Sequence, residues 1–232
     1  VGTYAVQDNN TVKAETPLYW SDTGEHTVTA WYPAKSGTID LGNQSQSLVY
    51  LLSSTGTGKY PDPVTLNFTH ALAKMRVTPT ADALGEVTSL QFYTYTQCTY
   101  EKGKAGQGSQ EGWIEMKKCE YTENGTPVTC WKANVVPGYE IKKLRANGTE
   151  ERNLSAAITP EAGKFYNITL NYDPGYTKVS EGNYTVDNEK GLRNLAKLVN
   201  SNGGKTLINI TLTGDITLTG EWTPIGNYEN RK

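Results

Sequence analysis

Cysteine is scarce in this chain of 232 residues: Cys98, Cys119 and Cys130 are the full complement. Three thiols cannot build a disulfide framework, and an odd number leaves at least one unpaired. Their spacing matches no zinc pattern, and His26 and His70 are the only histidines that could help. A Cys119–Cys130 bridge across adjacent strands is one arrangement open to them; separate buried thiols are the favoured reading. No apolar run approaches the length of a membrane span, which excludes a transmembrane helix. Neither charge is in excess: Lys plus Arg is 22, Asp plus Glu is 24, and the net charge is −2. The basic face that nucleic acid requires is therefore missing, as is any reason to expect an anionic membrane surface. No phosphate-binding Gly-Lys-Ser/Thr loop, nucleophile elbow or H-E-x-x-H motif occurs. Helical periodicity is absent before residue 185. The chain begins at Val1 without an initiating Met, signal peptide or lipobox cysteine. It reads as a processed or trimmed chain whose export signal is absent.

Phenylalanine is also rare, at 3, against 15 Tyr and 5 Trp. Amphipathic aromatics suit sheet surfaces with one end packed and the other wet. Hydrophobic residues make up 36% of the chain and Gly adds 23 residues, enough for a real core. Many short alternating segments separated by turn residues predict an all-β protein, an antiparallel β-sandwich. A small C-terminal element of helix plus strands is expected to follow it.

The central stretch is Leu66-Asn67-Phe68-Thr69-His70-Ala71-Leu72-Ala73-Lys74-Met75-Arg76-Val77. Val64, Leu66 and Phe68 alternate with polar residues, then the phase changes after His70. A period of two changes phase only where a residue is absorbed or the chain turns onto another strand. The irregularity is expected at Thr69 to Leu72. The expected inward face is Phe68 before it and Ala73, Met75 and Val77 after it.

The F-x-H-A-L-A-K run with its basic-apolar continuation resembles the signature of fimbrillin-type proteins, fimbrial subunits and surface lipoproteins of the Bacteroidales. Three further segments agree in order. Val1-Gly2-Thr3-Tyr4-Ala5-Val6 resembles an "IGVYA" strand. Tyr19-Trp20 with Trp31-Tyr32-Pro33 resembles "YW…AYYP", and Ala162 to Leu170 resembles "GKxYxxTL". The resemblance covers roughly residues 1–173. It implies a transthyretin-like sandwich of fimbrillin type and a structural subunit or adhesin of a fimbria on the bacterial outer-membrane surface. It also implies partners that are other fimbrial subunits, joined by strand exchange, and a host or bacterial surface ligand. It assigns Phe68, His70, Leu72, Ala73, Lys74 and Met75 to the family motif and core. In such proteins, removal of an N-terminal segment opens the groove that a neighbour's strand fills.

Along the chain, strands are expected at 1–6, 18–20, 26–32, 47–52, 87–99, 113–121, 128–133, after 141, 154–158 and 165–172. Residues 34–47 and 53–63 read as loops, and 101–112, rich in Gly, Lys and Gln, as a mobile loop closing a long hairpin. Asn124-Gly125 is the strongest two-residue turn signal. Residues 174–183 read as a linker. The sequence then turns helical, with Asp187 as N-cap and Leu192, Leu195, Ala196, Leu198 and Val199 at helical spacing. Two short strands, 207–212 and 216–218, follow. Residues 184–232 resemble a helix with the first turn of the β-helical tails found on bacterial surface proteins.

No catalytic, cofactor or metal residues are assigned, and no enzyme activity is expected. His70 is expected to be buried and bonded to backbone, having no ligand set or acid beside it. Glu111 with Glu115, and Asp22 with Glu25, could pair as glycosidase acids but read as solvated. Trp20, Trp113 and Trp131 could form a sugar-stacking platform, the basis of the alternative reading as a cell-surface carbohydrate-binding module. Against it, Trp31 reads as core, and Trp113 with Trp131 as a cross-strand pair.

Overall fold

The computed structural model describes residues 1–8, 11–80, 84, 87–171, 173–201 and 207–226. In chain order its strands begin with β1 (Ala5–Val6), β2 (Val12–Lys13), β3 (His26–Tyr32), β4 (Gly37–Asp40), β5 (Leu52–Gly58) and β6 (Thr69–His70). Next come β7 (Ala73–Pro79), β8 (Leu90–Glu101), β9 (Lys104–Glu115), β10 (Lys117–Glu123) and β11 (Thr126–Val135). β12 (Ile141–Ala146), β13 (Glu150–Ile158), β14 (Phe165–Leu170), β15 (Tyr176–Ser180) and β16 (Asn183–Val186) precede helix α1 (Glu189–Ser201) and β17 (Asn209–Leu212). The chain divides into two compact units, Val1–Thr78 with Val87–Thr169, and Pro79–Glu86 with Leu170–Lys232.

The first unit is the all-β sandwich. One layer has the order β10-β11-β7-β14; the other runs β13-β12-β8-β4, with β9 also paired to β8. Alternation decides which side chains meet between the layers. Ala73, Met75 and Val77 of β7 have no exposed surface, whereas Lys74 and Arg76 between them are half-buried. On β8, Leu90, Phe92, Thr94, Cys98 and Tyr100 are buried, leaving Gln91, Tyr93 and Tyr95 on the other face. Trp131, Ala133 and Val135 of β11 complete the inner face of the first layer. Burying each large side chain of this kind stabilises the fold by about 1.5–3 kcal/mol. A register shift between Ile141 and Lys143 lets Ile141 and Leu144 of β12 both turn inward.

Most ladders are antiparallel, but β14 is different. Lys74 N–H bonds to Lys164 C=O, and Thr80 N–H to Leu170 C=O. Donor and acceptor advance together, so β14 runs in the direction of β7. The Asn124-Gly125 turn closes β10 on β11 as expected, with both residues at positive φ (50° and 81°).

Three expected loops are strands. Residues 37–40, within the expected 34–47 loop, form β4 on β8. The expected 53–63 connection supplies most of β5, which pairs along all of β3. Its polar sequence hides the reason: a Cβ on Gly56 would stand 2.7 Å from Thr65 O, so the chain at 64–66 lies against bare backbone. Most of the expected mobile loop at 101–112 belongs to β9, and the hairpin turns at Lys102-Gly103. A Cβ on Gly108 would run into the Tyr95 ring, and one on Gly106 into the Thr99 side chain. These glycines supply room for cross-strand neighbours, not flexibility.

Other boundaries also differ. The expected 113–121 strand breaks at buried Met116, so β9 and β10 lie in opposite layers. Trp113 therefore faces Tyr93 and Trp131 faces Lys118; the two tryptophans are not cross-strand partners. Residues 18–20 form no strand, and of residues 1–6 only Ala5–Val6 pairs, with Val12–Lys13. The expected 47–52 strand begins at Leu52 instead, although Leu51 is buried.

The second unit has β15 antiparallel to β16 and β17 parallel to β16, the latter two joined through α1. Tyr176–Ser180, expected within a linker, is thus a paired strand. Its small core holds Tyr184, Val186 and Leu195, with Tyr176, Leu192, Leu198, Ile208, Ile210 and Ile216 against them. Asn188, not Asp187, caps α1: its Oδ1 accepts the Gly191 N–H at 2.9 Å. Residues 216–218, expected as a strand, have no ladder.

Candidate functional site

Phe68 to Met75 forms a corner between two sheets. Thr69 and His70 end the β3-β5-β6 sheet, pairing with Ser53 and Leu52. Ala71 N–H still bonds Leu51 C=O at 2.9 Å. The chain then enters the sandwich, and Leu72 C=O accepts Gly163 N–H at 3.1 Å. The phase change expected at Thr69 to Leu72 is this crossing. Two segments far apart in sequence, the F-x-H-A-L-A-K run and the Gly-Lys-Phe-Tyr run, are thereby neighbours.

Leu72, Ala73 and Met75 are buried and Lys74 is half-buried. Phe68 is not inward: it is 47% exposed, because it precedes the corner in a segment without a ladder. His70 is not buried either. It lies on a two-residue edge strand, exposed, with its ring 5.9 Å from that of Tyr50.

The layer β10-β11-β7-β14 offers two outer edges of opposite character. β10 carries Lys117, Lys118, Glu120 and Glu123, and charge on an edge discourages pairing with another chain. β14 reads Phe-Tyr-Asn-Ile-Thr-Leu, with no charge, and no described strand lies beyond it. Its parallel ladder directs the backbone groups of Phe165, Asn167 and Thr169 away from β7. Arg76 guards the outer face here: Nε donates to Asn167 Oδ1 at 2.5 Å, Nη1 donates to Tyr121 OH at 2.8 Å, and the guanidinium lies 5.4 Å from the Phe165 ring. Sequence reasoning placed this strand but overlooked its missing charge, a signal visible in the residues themselves.

The expected sugar-stacking residues are not brought together. Trp131 is 1% exposed. Trp113 has the Arg145 guanidinium 4.2 Å from its ring and the edge of Tyr93 at 5.3 Å. Trp20 stacks on His26 at 5.7 Å, and His26 Nε2 lies 2.8 Å from Asp22 Oδ1. Gly24 N–H and then His26 hold the Asp22 carboxyl below the ordinary range. Trp31 is half-buried.

Nor do the acids converge. Glu115 Oε2 accepts from Gln91 at 2.5 Å, and Glu111 Oε2 accepts the Tyr139 hydroxyl at 3.1 Å. Burial and that carboxylate push the Tyr139 hydroxyl up to about 12. No group of three or more His, Cys, Asp or Glu placed to hold a metal occurs among the described residues. In the second unit a polar recess of about 310 Å³ is lined by Asp173, Tyr176, Thr185 and Asp187, among others. No helix among the described residues is long and apolar enough to cross a membrane.

The sandwich has no converging acids or metal-binding cluster and one uncharged edge strand with no strand beyond it, among the described residues. The chain belongs to the fimbrillin-like family, whose model matches residues 2–223. The match takes in most of the C-terminal element as well as the sandwich. None of the curated proteins matches this chain. Among solved structures, a candidate cell adhesion protein from Bacteroides uniformis superimposes with a TM-score of 0.51 at 21% identity, covering 73% of this chain and 79% of that one. This likeness shows the fold. A candidate cell adhesion protein from Bacteroides thetaiotaomicron matches at TM-score 0.46 and 19% identity, covering 77% and 82%. A fimbrial protein from Bacteroides ovatus matches at TM-score 0.40 and 14% identity, covering 75% and 46%. Family membership supports a fimbrial or adhesin role at the cell surface.

Proposed function

We propose that this chain is a structural subunit of a fimbria that joins its neighbours by β-strand addition, with β14 as the receiving edge. The observation that carries the proposal is the composition of that edge: six residues without a charge at the end of a sandwich layer. Open N–H and C=O groups on such a strand template another strand, and proteins that do not use an edge of this kind blunt it. Main-chain bonds would supply affinity and alternate side chains specificity. The partners would be other fimbrial subunits and the setting the outer-membrane surface.

A photo-cross-linking residue at Thr169, carried in cells that assemble the fimbria, tests this. Capture of a neighbouring subunit is expected from Thr169 and not from Glu120 on charged β10. Equal capture from both edges, or none from Thr169, would overturn the assignment of β14.

A further inference from the structure

Cys119 of β10 and Cys130 of β11 are direct cross-strand partners. Direct partners in an antiparallel pair point to the same side, with Cα atoms about 4.5–5.5 Å apart. A disulfide spans Cα separations of about 4.4–6.8 Å. Both thiols are free, Cys130 fully covered and Cys119 half-buried. They lie on the outer face of their layer, opposite the side that buries Trp131. The register places Lys117 with Lys132 on one side of the pair and Tyr121 with Val128 on the other. Tyr121 OH stands 3.9 Å from Cys130 Sγ, Lys132 Nζ lies 4.2 Å from the Tyr121 ring, and Arg76 Nη1 donates to Tyr121 OH. Burial pushes the Cys130 thiol up, against a smaller opposing pull from Lys132, the Tyr121 hydroxyl and Arg76. Cys98 has no such partner, since Ile39 and Gly108 stand opposite it.

We propose that Cys119 and Cys130 are a redox-closable dithiol, converted to an intrachain disulfide by exchange with an external disulfide. Half-buried Cys119 meets the oxidant. Its thiolate attacks one sulfur of the external disulfide, forms a mixed disulfide and expels one thiol. The Cys130 thiolate then attacks Cys119 Sγ, forms the intrachain bond and expels the second thiol. Two protein thiols are oxidised, one external disulfide is reduced to two thiols, and the two thiol protons pass to the products. β10 ends its layer and pairs with β11 alone among the described strands. The bond would therefore staple an edge strand to the sheet.

The test incubates the folded chain with oxidised glutathione, alkylates the remaining thiols after denaturation and weighs the intact protein. The expected product carries one alkyl group, on Cys98, and lacks two hydrogens. A Cys119–Cys130 linked peptide should appear after digestion. Its thermal midpoint should rise and fall back on reduction with dithiothreitol. Cys130→Ser should trap glutathione on Cys119, whereas Cys119→Ser should leave Cys130 unmodified in the folded chain. Alkylation of all three cysteines after oxidation, a linkage to Cys98, or a wild-type chain arrested with glutathione attached would each overturn the proposal.

Discussion

The two units hold themselves together by different means. The first buries deep, alternating side chains between two layers, and Trp131, Met75, Phe92, Leu90 and Ile114 are all essentially inaccessible. The second has a small core around Tyr184, Val186 and Leu195 and ties its irregular segments down with directed polar contacts. Glu189 accepts from Thr219 N–H at 2.7 Å and from its hydroxyl at 2.8 Å. Arg193 donates to Glu221 C=O at 2.7 Å and to Thr219 C=O at 2.6 Å. Asn200 donates to Pro224 C=O at 3.0 Å and accepts from Gly226 N–H at 2.9 Å. A small unit cannot cover much apolar surface, so the segment after β17 depends on helix side chains taking the place of a β ladder.

The sharpest way to break this contrast is in the sandwich. Trp131→Ala should cost about 3–5 kcal/mol and Met75→Ala about 2–5 kcal/mol in denaturant unfolding, because each leaves a cavity between packed layers. A loss below about 1 kcal/mol at either position would mean that the core is not close-packed there. In the second unit, Arg193→Ala should cost about 1–2 kcal/mol, the loss of charge-assisted bonds to backbone. Its signature is local: hydrogen exchange should quicken at Thr219 while amides of β7 and β8 keep their protection.

Titration separates the units without mutation. Backbone and side-chain donors hold the Glu189 carboxyl below its ordinary value of 4.5. Its stabilising contribution is therefore present above that value and lost as pH falls through the lower folded value. Acid should release protection at Thr219, and Glu189→Gln should remove that pH dependence. Tyr139 has the opposite sign. Its folded value of about 12 lies above the ordinary 10, so its contribution is present below pH 10 and declines as pH rises toward 12. Alkaline titration monitored by tyrosinate absorbance should lose one late-titrating component in Tyr139→Phe, while Tyr100, whose hydroxyl burial also pushes up, titrates late in both proteins. The smallest effect on folding is expected at Thr169→Pro. The lost N–H faces away from β7, so stability should shift by less than about 0.5 kcal/mol, while cells carrying the variant should fail to incorporate it into fimbriae.

Much of the sandwich was legible because its signals are local. The alternation of Ala73, Met75 and Val77, the Phe92 face of β8 and the Asn124-Gly125 turn each need only neighbouring residues to be read. The phase change after His70 even located the corner between sheets. What could not be read depends on partners remote in sequence. Gly106 and Gly108 look flexible until Thr99 and Tyr95 lie across them. The run from Trp113 to Tyr121 looks like one strand until buried Met116 sends its halves to opposite layers. Phe68 and His70 look like core residues in the alternation, yet both are exposed, one before the corner and one on a two-residue edge strand, because packing decides which residues near a sheet edge stay wet.

By itself the sequence determined the all-β class, the main hairpins, the helix after residue 187 and the fimbrillin-type motifs, because periodicity and turn chemistry act over a few residues. Tertiary structure alone decided which strands end a layer, which aromatic faces are covered and which cysteines stand opposite each other. Those properties belong to pairs of segments, and no single segment contains them.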